Sequence, residues 1–202
     1  MIVLYLTLFQ KNHFKTLNEK VIKRNDFIKK YVLRKTLALT PSALWHKNIL
    51  FNFQFNEYLK QFQEYEFYSK LLSLEPSIYI LDKYLTLIRI NHESITTGDE
   101  LKQPERSYSH ITAKLNLIKV YAHDQDIQIG LTNHLLSGLN NSLNNLQFDK
   151  KISFSYLKGI ESVIHLENLK KYRFKWLLLK LLTHIILITG RGSFCLRSLY
   201  KF

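Results

Sequence analysis

A regular leucine spacing in the C-terminal half predicts one helix directly and limits what its neighbours can form. Within residues 127–147, leucines recur at Leu131, Leu135, Leu139 and Leu143. A four-residue spacing places these side chains on one face of an α-helix. On either side, residues 114–121 and 151–157 have the apolar patterning of β-strands. The order of the three segments predicts a β-α-β unit, with helices on one face of a small sheet.

Composition divides the chain into an extension, a linker and a domain. Residues 12–39 carry apolar side chains at three- and four-residue steps with lysines between them, which predicts a basic amphipathic helix. Residues 96–110 contain the Thr, Gly, Asp, Pro and Ser residues typical of a linker. We therefore expect residues 1–95 to be a mainly helical extension and residues 111–202 a small α/β sandwich-like domain. The predicted fold class is α+β.

The end of the chain allows two interpretations. Residues 158–183 form either a helix or an extended basic hairpin, and residues 184–188 read as an apolar strand. The sequence Gly190-Arg191-Gly192-Ser193 would then open a short final helix. Backbone amides, a guanidinium and a hydroxyl at a helix N-terminus suit a phosphate, whereas an ordinary turn with a capping serine is the alternative.

Residues 51–68 contain eight aromatic side chains. Bases stack on aromatic rings in nucleic-acid-binding proteins. Glu57, Glu64 and Glu66 lie among the aromatics and would repel phosphates. Packing in a core or against a neighbour is therefore the favoured interpretation of this segment.

Charge indicates an anionic partner. The chain has 29 Lys and Arg against 16 Asp and Glu, a formal net charge of +13. Residues 1–40 carry nine basic and two acidic residues, residues 41–110 seven and nine, and residues 111–202 thirteen and five. A nucleic-acid surface would therefore be built from both ends of the chain. Such a charge also argues against a free-standing metabolic enzyme.

Composition also bears on the compartment. Residues with AT-rich codons (Lys, Asn, Ile, Leu, Phe and Tyr) dominate, whereas Gly, Ala, Pro and Arg are scarce. This bias suggests an organellar or parasite genome. Cys195 is the only cysteine, which excludes an internal disulfide and a Cys-based zinc site. We expect no transmembrane helix, because the apolar run 176–189 is short and contains Lys180 and His184.

The strongest functional segment is 170–176, where cations alternate with three aromatics. The cations can neutralise phosphates, while Tyr172, Phe174 and Trp176 can stack on bases or anchor the segment to the domain. The predicted RNA-binding residues are Lys150, Lys151, Lys158, Lys170, Lys171, Tyr172, Arg173, Lys175, Trp176, Arg191 and Arg197.

Catalytic and metal-binding patterns are weak by comparison. His123-Asp124-Gln125-Asp126 offers cation ligands, but a short polar turn explains it equally well. No glycine elbow frames a serine or cysteine nucleophile. We therefore expect no enzymatic activity, cofactor, metal or small-molecule substrate.

Three segments together resemble the family of universal small-subunit ribosomal protein ten. Residues 114–124 are similar to that family's first strand, with Lys119, Tyr121 and His123 matching its basic-aromatic ending. Residues 151–158 are similar to its second strand, and residues 172–186 to an aromatic-basic stretch that leads into a strand. The resemblance implies a basic hairpin over 158–175 that contacts rRNA, and a sheet that contacts neighbouring ribosomal proteins. Residues 1–110 have no counterpart in the family.

The sequence therefore predicts a non-catalytic, rRNA-binding structural protein of the mitochondrial small ribosomal subunit. We expect it in the mitochondrial matrix and encoded in the organelle. The alternative is a matrix-side structural subunit of a respiratory-chain complex, with its basic ends on anionic lipid and its apolar faces on partner subunits. A nucleic-acid enzyme with an unrecognised site is a third reading.

Overall fold

The computed structural model divides the chain into two compact units. The first comprises residues 1–57 and 63–101, and the second comprises residues 58–62 and 102–202. The structure describes residues 2–5, 24–36, 43–50, 53–76, 78–81, 103–144 and 150–190.

The first unit combines a small sheet with short helices. Its strands are β1 (Ile2–Tyr5), β2 (Ala43–Leu44) and β3 (Ile78–Leu81). Its helices are α1 (Arg24–Val32), α2 (Lys47–Leu50) and α3 (Gln63–Leu72). The sheet order is β2-β1-β3, with β1 antiparallel to β2 and parallel to β3.

Aromatic side chains hold the first unit together. Helix α1 packs on α3, and the Tyr65 hydroxyl donates a hydrogen bond to the carbonyl of Val32. The Phe55 and Phe67 rings stack with centroids 4.2 Å apart, and Trp45 stacks on Tyr68 at 5.0 Å. These contacts favour packing over base stacking for this part of the aromatic-rich segment.

The described residues of the second unit form helices joined by turns and contain no strand. Its helices are α4 (Gln103–Val120), α5 (Gln125–Asn144), α6 (Lys150–Val163) and α7 (Arg173–Thr189), with a 3-10 helix at Glu167–Tyr172. Helices α4, α5 and α6 pack pairwise around one core, and the 3-10 helix contacts α5 and α7. Asp124 caps α5, since its Oδ1 accepts a hydrogen bond from the Ile127 amide at 2.9 Å.

The predicted leucine stripe is confirmed. Leu131, Leu135 and Leu139 are fully buried on α5, and Leu143 is nearly so. They supply the α5 contribution to the three-helix core. Helix α4 meets them with Ala113, Leu117 and Ile118, and α6 with Ile152, Leu157 and Ile160.

The predicted α/β sandwich-like domain is wrong. Residues 114–121, 151–157 and 184–188, expected as strands, lie in or at the end of helices α4, α6 and α7. Residues 158–183 are also helical apart from a short turn, so the extended hairpin is absent from this segment. Helix α6 shows why the strand prediction failed. The apolar residues that alternate within 151–157 belong to a longer four-residue repeat, which buries Ile152, Tyr156 and Ile160 on one face of the helix. Helix α4 likewise begins inside the predicted linker 96–110.

A buried amide joins three segments of the second unit. Gln128 of α5 donates from Nε2 to the Ile118 carbonyl of α4 at 3.0 Å. Its Oε1 accepts from Asn168 Nδ2 at 2.9 Å, and the same Nδ2 lies 3.1 Å from the Ala122 carbonyl. The Gln128 amide therefore ties the 3-10 helix to the α4–α5 connection.

Replacing Gln128 with Ala should loosen the 3-10 helix. The variant loses the hydrogen bond to the Ile118 carbonyl and the one from the Asn168 side chain. Each buried polar group left without a partner lowers the free energy of unfolding by about 1–3 kcal/mol. We expect faster amide hydrogen exchange across residues 167–172. Gln125→Ala, at an exposed position of the same helix, is the control. Unchanged exchange in Gln128→Ala would contradict this account of the contact.

Gly138 permits the close approach of α5 and α6. A Cβ at this position would lie 2.4 Å from Cε1 of Tyr156, whose ring is buried. Gly138→Ala should therefore lower the free energy of unfolding by about 2 kcal/mol through overpacking, although alanine favours helix. Denaturant titration measures the loss, with Ser137→Ala as the exposed control. If Gly138→Ala is equally destabilising in a Tyr156→Leu background, the ring is not the cause.

Tyr156 should make the fold sensitive to alkali. Burial raises the pKa of Tyr156 from 10.0 to about 12, against a smaller opposite effect of a hydrogen bond with Ser107. The folded state thus holds the phenolic proton more tightly than the unfolded state. The contribution of Tyr156 to the free energy of unfolding is therefore fully present below pH 10 and declines as the pH approaches 12. The loss reaches about 3 kcal/mol.

Denaturant titrations of Tyr156→Phe on both sides of this pH window measure the effect. The variant should show a shallower alkaline decline than the wild type. Burial, together with the nearby charge of Asp124, also raises the pKa of Tyr121. Tyr121 therefore accounts for the alkaline loss of stability that remains in Tyr156→Phe. Tyr58→Phe, at an exposed position, should leave the wild-type slope intact. An identical decline in Tyr156→Phe and wild type would refute the assignment to Tyr156.

Candidate nucleic-acid interface

The predicted RNA-binding residues that the structure describes lie on α6, the 3-10 helix and α7. On α6, the side chains of Lys150, Lys151 and Lys158 are exposed, and the seven-residue spacing of the last two places them on one face. The opposite face of α6 is buried in the three-helix core. The helix therefore presents these lysines outward because its apolar face is held by α4 and α5.

A second group of cations surrounds the start of α7. Lys170, Lys171 and Arg173 are exposed, and Lys175 is half-buried. Lys170 forms an ion pair with Glu167 one turn earlier. Lys171 Nζ lies 5.1 Å from the centroid of the Tyr172 ring. We call Lys170, Lys171, Arg173 and Lys175 the basic cluster.

The helix adds to the positive potential of the basic cluster. The N-terminus of an α-helix carries a partial positive charge, and carboxylates in the first turn usually offset it. Helix α7 has no acidic residue in its first turn, and its N-cap residue makes no side-chain capping bond. Because the Arg173 amide is already bonded to the Lys170 carbonyl of the preceding 3-10 helix, the side-chain cations are the groups that attract phosphate here.

The three aromatics of the segment take different positions. Trp176 is buried and anchors α7 to the unit, and Tyr172 is half-buried. Phe174 is 82% exposed. Of the two roles expected for these rings, Trp176 takes the anchoring one, and Phe174 is the ring accessible to a ligand.

Lys150 and Lys151 lie at the opposite end of a helix pair from the basic cluster. Glu161 of α6 contacts Lys180 of α7 at 2.5 Å, and Phe154 lies edge-on to His184 at 5.9 Å. The order of these contacts makes α6 and α7 antiparallel. Helical rise then separates Lys151 from Arg173 by about 25 Å. The structure therefore does not bring Lys150 and Lys151 into one site with the basic cluster, whereas Lys158 lies about 15 Å from Arg173 by the same rise.

The glycine segment after α7 differs from its expected arrangement. Gly190 lies at the C-cap of α7 with a φ of 70°, and its amide donates to the Ile186 carbonyl. Gly190 ends a helix, whereas we expected it to follow a strand. The C-terminal end of a helix attracts cations, so this end of α7 does not favour a phosphate. Arg191, Ser193, Cys195 and Arg197 lie outside the described residues.

Within residues 123–126, Asp124 has a structural role. Asp124 uses a carboxylate oxygen to cap α5, which accounts for one of the two acids. Across the described ranges, no group of three His, Cys, Asp or Glu residues is arranged to hold a metal ion. The same ranges contain no helix long and apolar enough to cross a membrane.

One surface of α7 was missed by the sequence analysis. Six large apolar side chains of this helix point away from the core of the second unit: Phe174, Leu177, Leu178, Leu181, Ile185 and Ile188. Their three- and four-residue spacing is present in the sequence. Because α7 is apolar on both faces, the spacing does not reveal which face is buried.

Comparisons with protein-family models, curated proteins and solved structures give no match for this chain.

Proposed function

We propose that this chain is a non-catalytic structural protein that binds ribosomal RNA in the small subunit of a mitochondrial ribosome. The observation that carries the RNA-binding proposal is the exposed basic cluster at the positive end of α7. Lysine and arginine at such a position neutralise phosphates and release counterions. Neighbouring ribosomal proteins are further proposed partners.

The compartment and the ribosomal assignment have separate support. The AT-rich amino-acid bias is typical of organellar genomes, and a net charge of +13 fits a protein that is neutralised by rRNA. The helical form of residues 114–121 and 151–157 removes the strands on which the implied rRNA hairpin depended. The proposal therefore rests on charge and exposure, and it assigns RNA contact to helix surfaces.

The competing proposal is a matrix-side structural subunit of a respiratory-chain complex. The exposed apolar side chains of α7 favour it, because phosphate contacts leave such a surface uncovered. The two proposals differ in what holds the protein in its assembly. Sedimentation of the native protein from gently lysed mitochondria, with and without ribonuclease, distinguishes them. Ribonuclease-sensitive migration with the small ribosomal subunit supports the first, and ribonuclease-resistant migration with a membrane complex supports the second.

Removing charge from the basic cluster should weaken RNA binding. We expect Lys171→Gln with Arg173→Gln to lower the affinity for a double-stranded RNA hairpin, and to reduce the slope of log affinity against log salt by about 1–2, because each phosphate contact contributes about one unit. Fluorescence anisotropy over a salt series measures both quantities.

The matched control removes two exposed lysines elsewhere. Lys47→Gln with Lys119→Gln changes the net charge equally, at positions on α2 and α4. If this control and the basic-cluster variant show the same salt slope, RNA binding is a property of net charge and the proposed interface is wrong.

A further inference from the structure

The apolar surface of α7 is the largest feature that the proposed RNA contact does not use. We call Phe174, Leu177, Leu178, Leu181, Ile185 and Ile188 the apolar stripe. Phe174 and Ile188, at its two ends, are each 82% exposed. Folded proteins seldom expose contiguous apolar side chains of this size without a binding purpose.

The apolar stripe forms a ridge. The other side of α7 is buried through Trp176, Leu179, Thr183, Ile186 and Leu187, which fix the helix on the unit. The stripe follows the outer side of this helix for about 21 Å. Its shape is convex, because a single helix on the surface carries it.

Cations lie at the start of the apolar stripe. Helix α7 contains no Asp or Glu, and the basic cluster surrounds its first turn. Lys180, near the middle, is ion-paired with Glu161 of α6. The surface is therefore apolar along its length, positive at its start and free of carboxylates within the helix.

We propose that the apolar stripe docks α7 in the interface of an anionic lipid bilayer, with the helix parallel to the membrane plane. Helices of this kind bury an apolar face at the boundary of headgroups and acyl chains, and their cations contact lipid phosphates. A fluid bilayer adapts to a convex ridge. Lys171 and Arg173 lie at the start of the stripe, where a headgroup phosphate would meet them.

A second copy of the chain in parallel orientation fits the apolar stripe poorly. A parallel pair of α7 helices would place one basic cluster against the other, with no carboxylate from α7 to neutralise them. Like charges in contact oppose association.

The test is flotation of the ribonuclease-treated full chain with vesicles. One set contains phosphatidylcholine alone, and the other contains phosphatidylserine in addition. We expect binding to the anionic vesicles. Leu177→Gln with Leu181→Gln should lower that binding at least about tenfold, because two leucine side chains lose their burial in the bilayer. Lys171→Gln with Arg173→Gln should lower it about thirtyfold and leave the weak binding to neutral vesicles unchanged.

The matched control replaces two leucines of the first unit. Leu44→Gln with Leu74→Gln alters side chains that are 59% and 54% exposed, close to the 62% and 60% of Leu177 and Leu181. This control should float like the wild type. Circular dichroism verifies that each variant is folded, and glutamine suits this test because its helix propensity is close to that of leucine.

Two results would overturn the proposal. One is equal flotation of wild type and Leu177→Gln with Leu181→Gln. The other is a concentration-dependent dimer, seen by sedimentation equilibrium, that the same variant abolishes, since this would assign the stripe to a second copy. The RNA anisotropy of the leucine variant separates the two proposals, because phosphate contact needs the cations and not the leucines. Loss of lipid binding with intact RNA binding is the expected pattern.

Discussion

The amide of Gln128 is the contact on which the arrangement of the second unit depends. Helices α4, α5 and α6 form a core by burying apolar side chains, and the 3-10 helix contributes the fully buried Leu169. The hydrogen bonds of Gln128 with Ile118 and Asn168 make this placement specific, because buried polar groups need particular partners. The 3-10 helix leads directly into α7, so the same contact fixes where the basic cluster begins.

The sequence predicted helix α5 and failed for its neighbours for one physical reason. Four leucines at constant spacing extend over more than three turns, a length that a strand pattern cannot imitate. Residues 151–157 are too short to distinguish the two periods. Ile152 and Tyr156 are four residues apart and satisfy a helix, and with Phe154 they also satisfy a strand. Burial decides between them, since Phe154 is exposed while Ile152 and Tyr156 are buried.

The sequence predicts the exposed cations of the candidate interface, but it does not predict which apolar side chains of α7 are exposed. Lysine and arginine side chains are rarely buried, so the sequence locates most of the exposed cations. Among the residues that the structure describes, Lys114 is the exception, because it lies fully buried in α4. In α7, by contrast, Trp176 and Phe174 stand two residues apart with opposite exposure. Only the packing of α7 on the rest of the unit determines which ring is enclosed.

Phosphate is common to rRNA and to anionic lipid, so the basic cluster alone does not distinguish the two partners. The apolar stripe distinguishes them, because its side chains are stabilised among acyl chains and not against a sugar-phosphate backbone. Both partners would compete for Lys171 and Arg173. Lys150 and Lys151 lie about 25 Å from that position by helical rise, near the other end of the helix pair. They can therefore keep a phosphate contact while the basic cluster lies on a membrane, but the basic cluster itself serves one partner at a time.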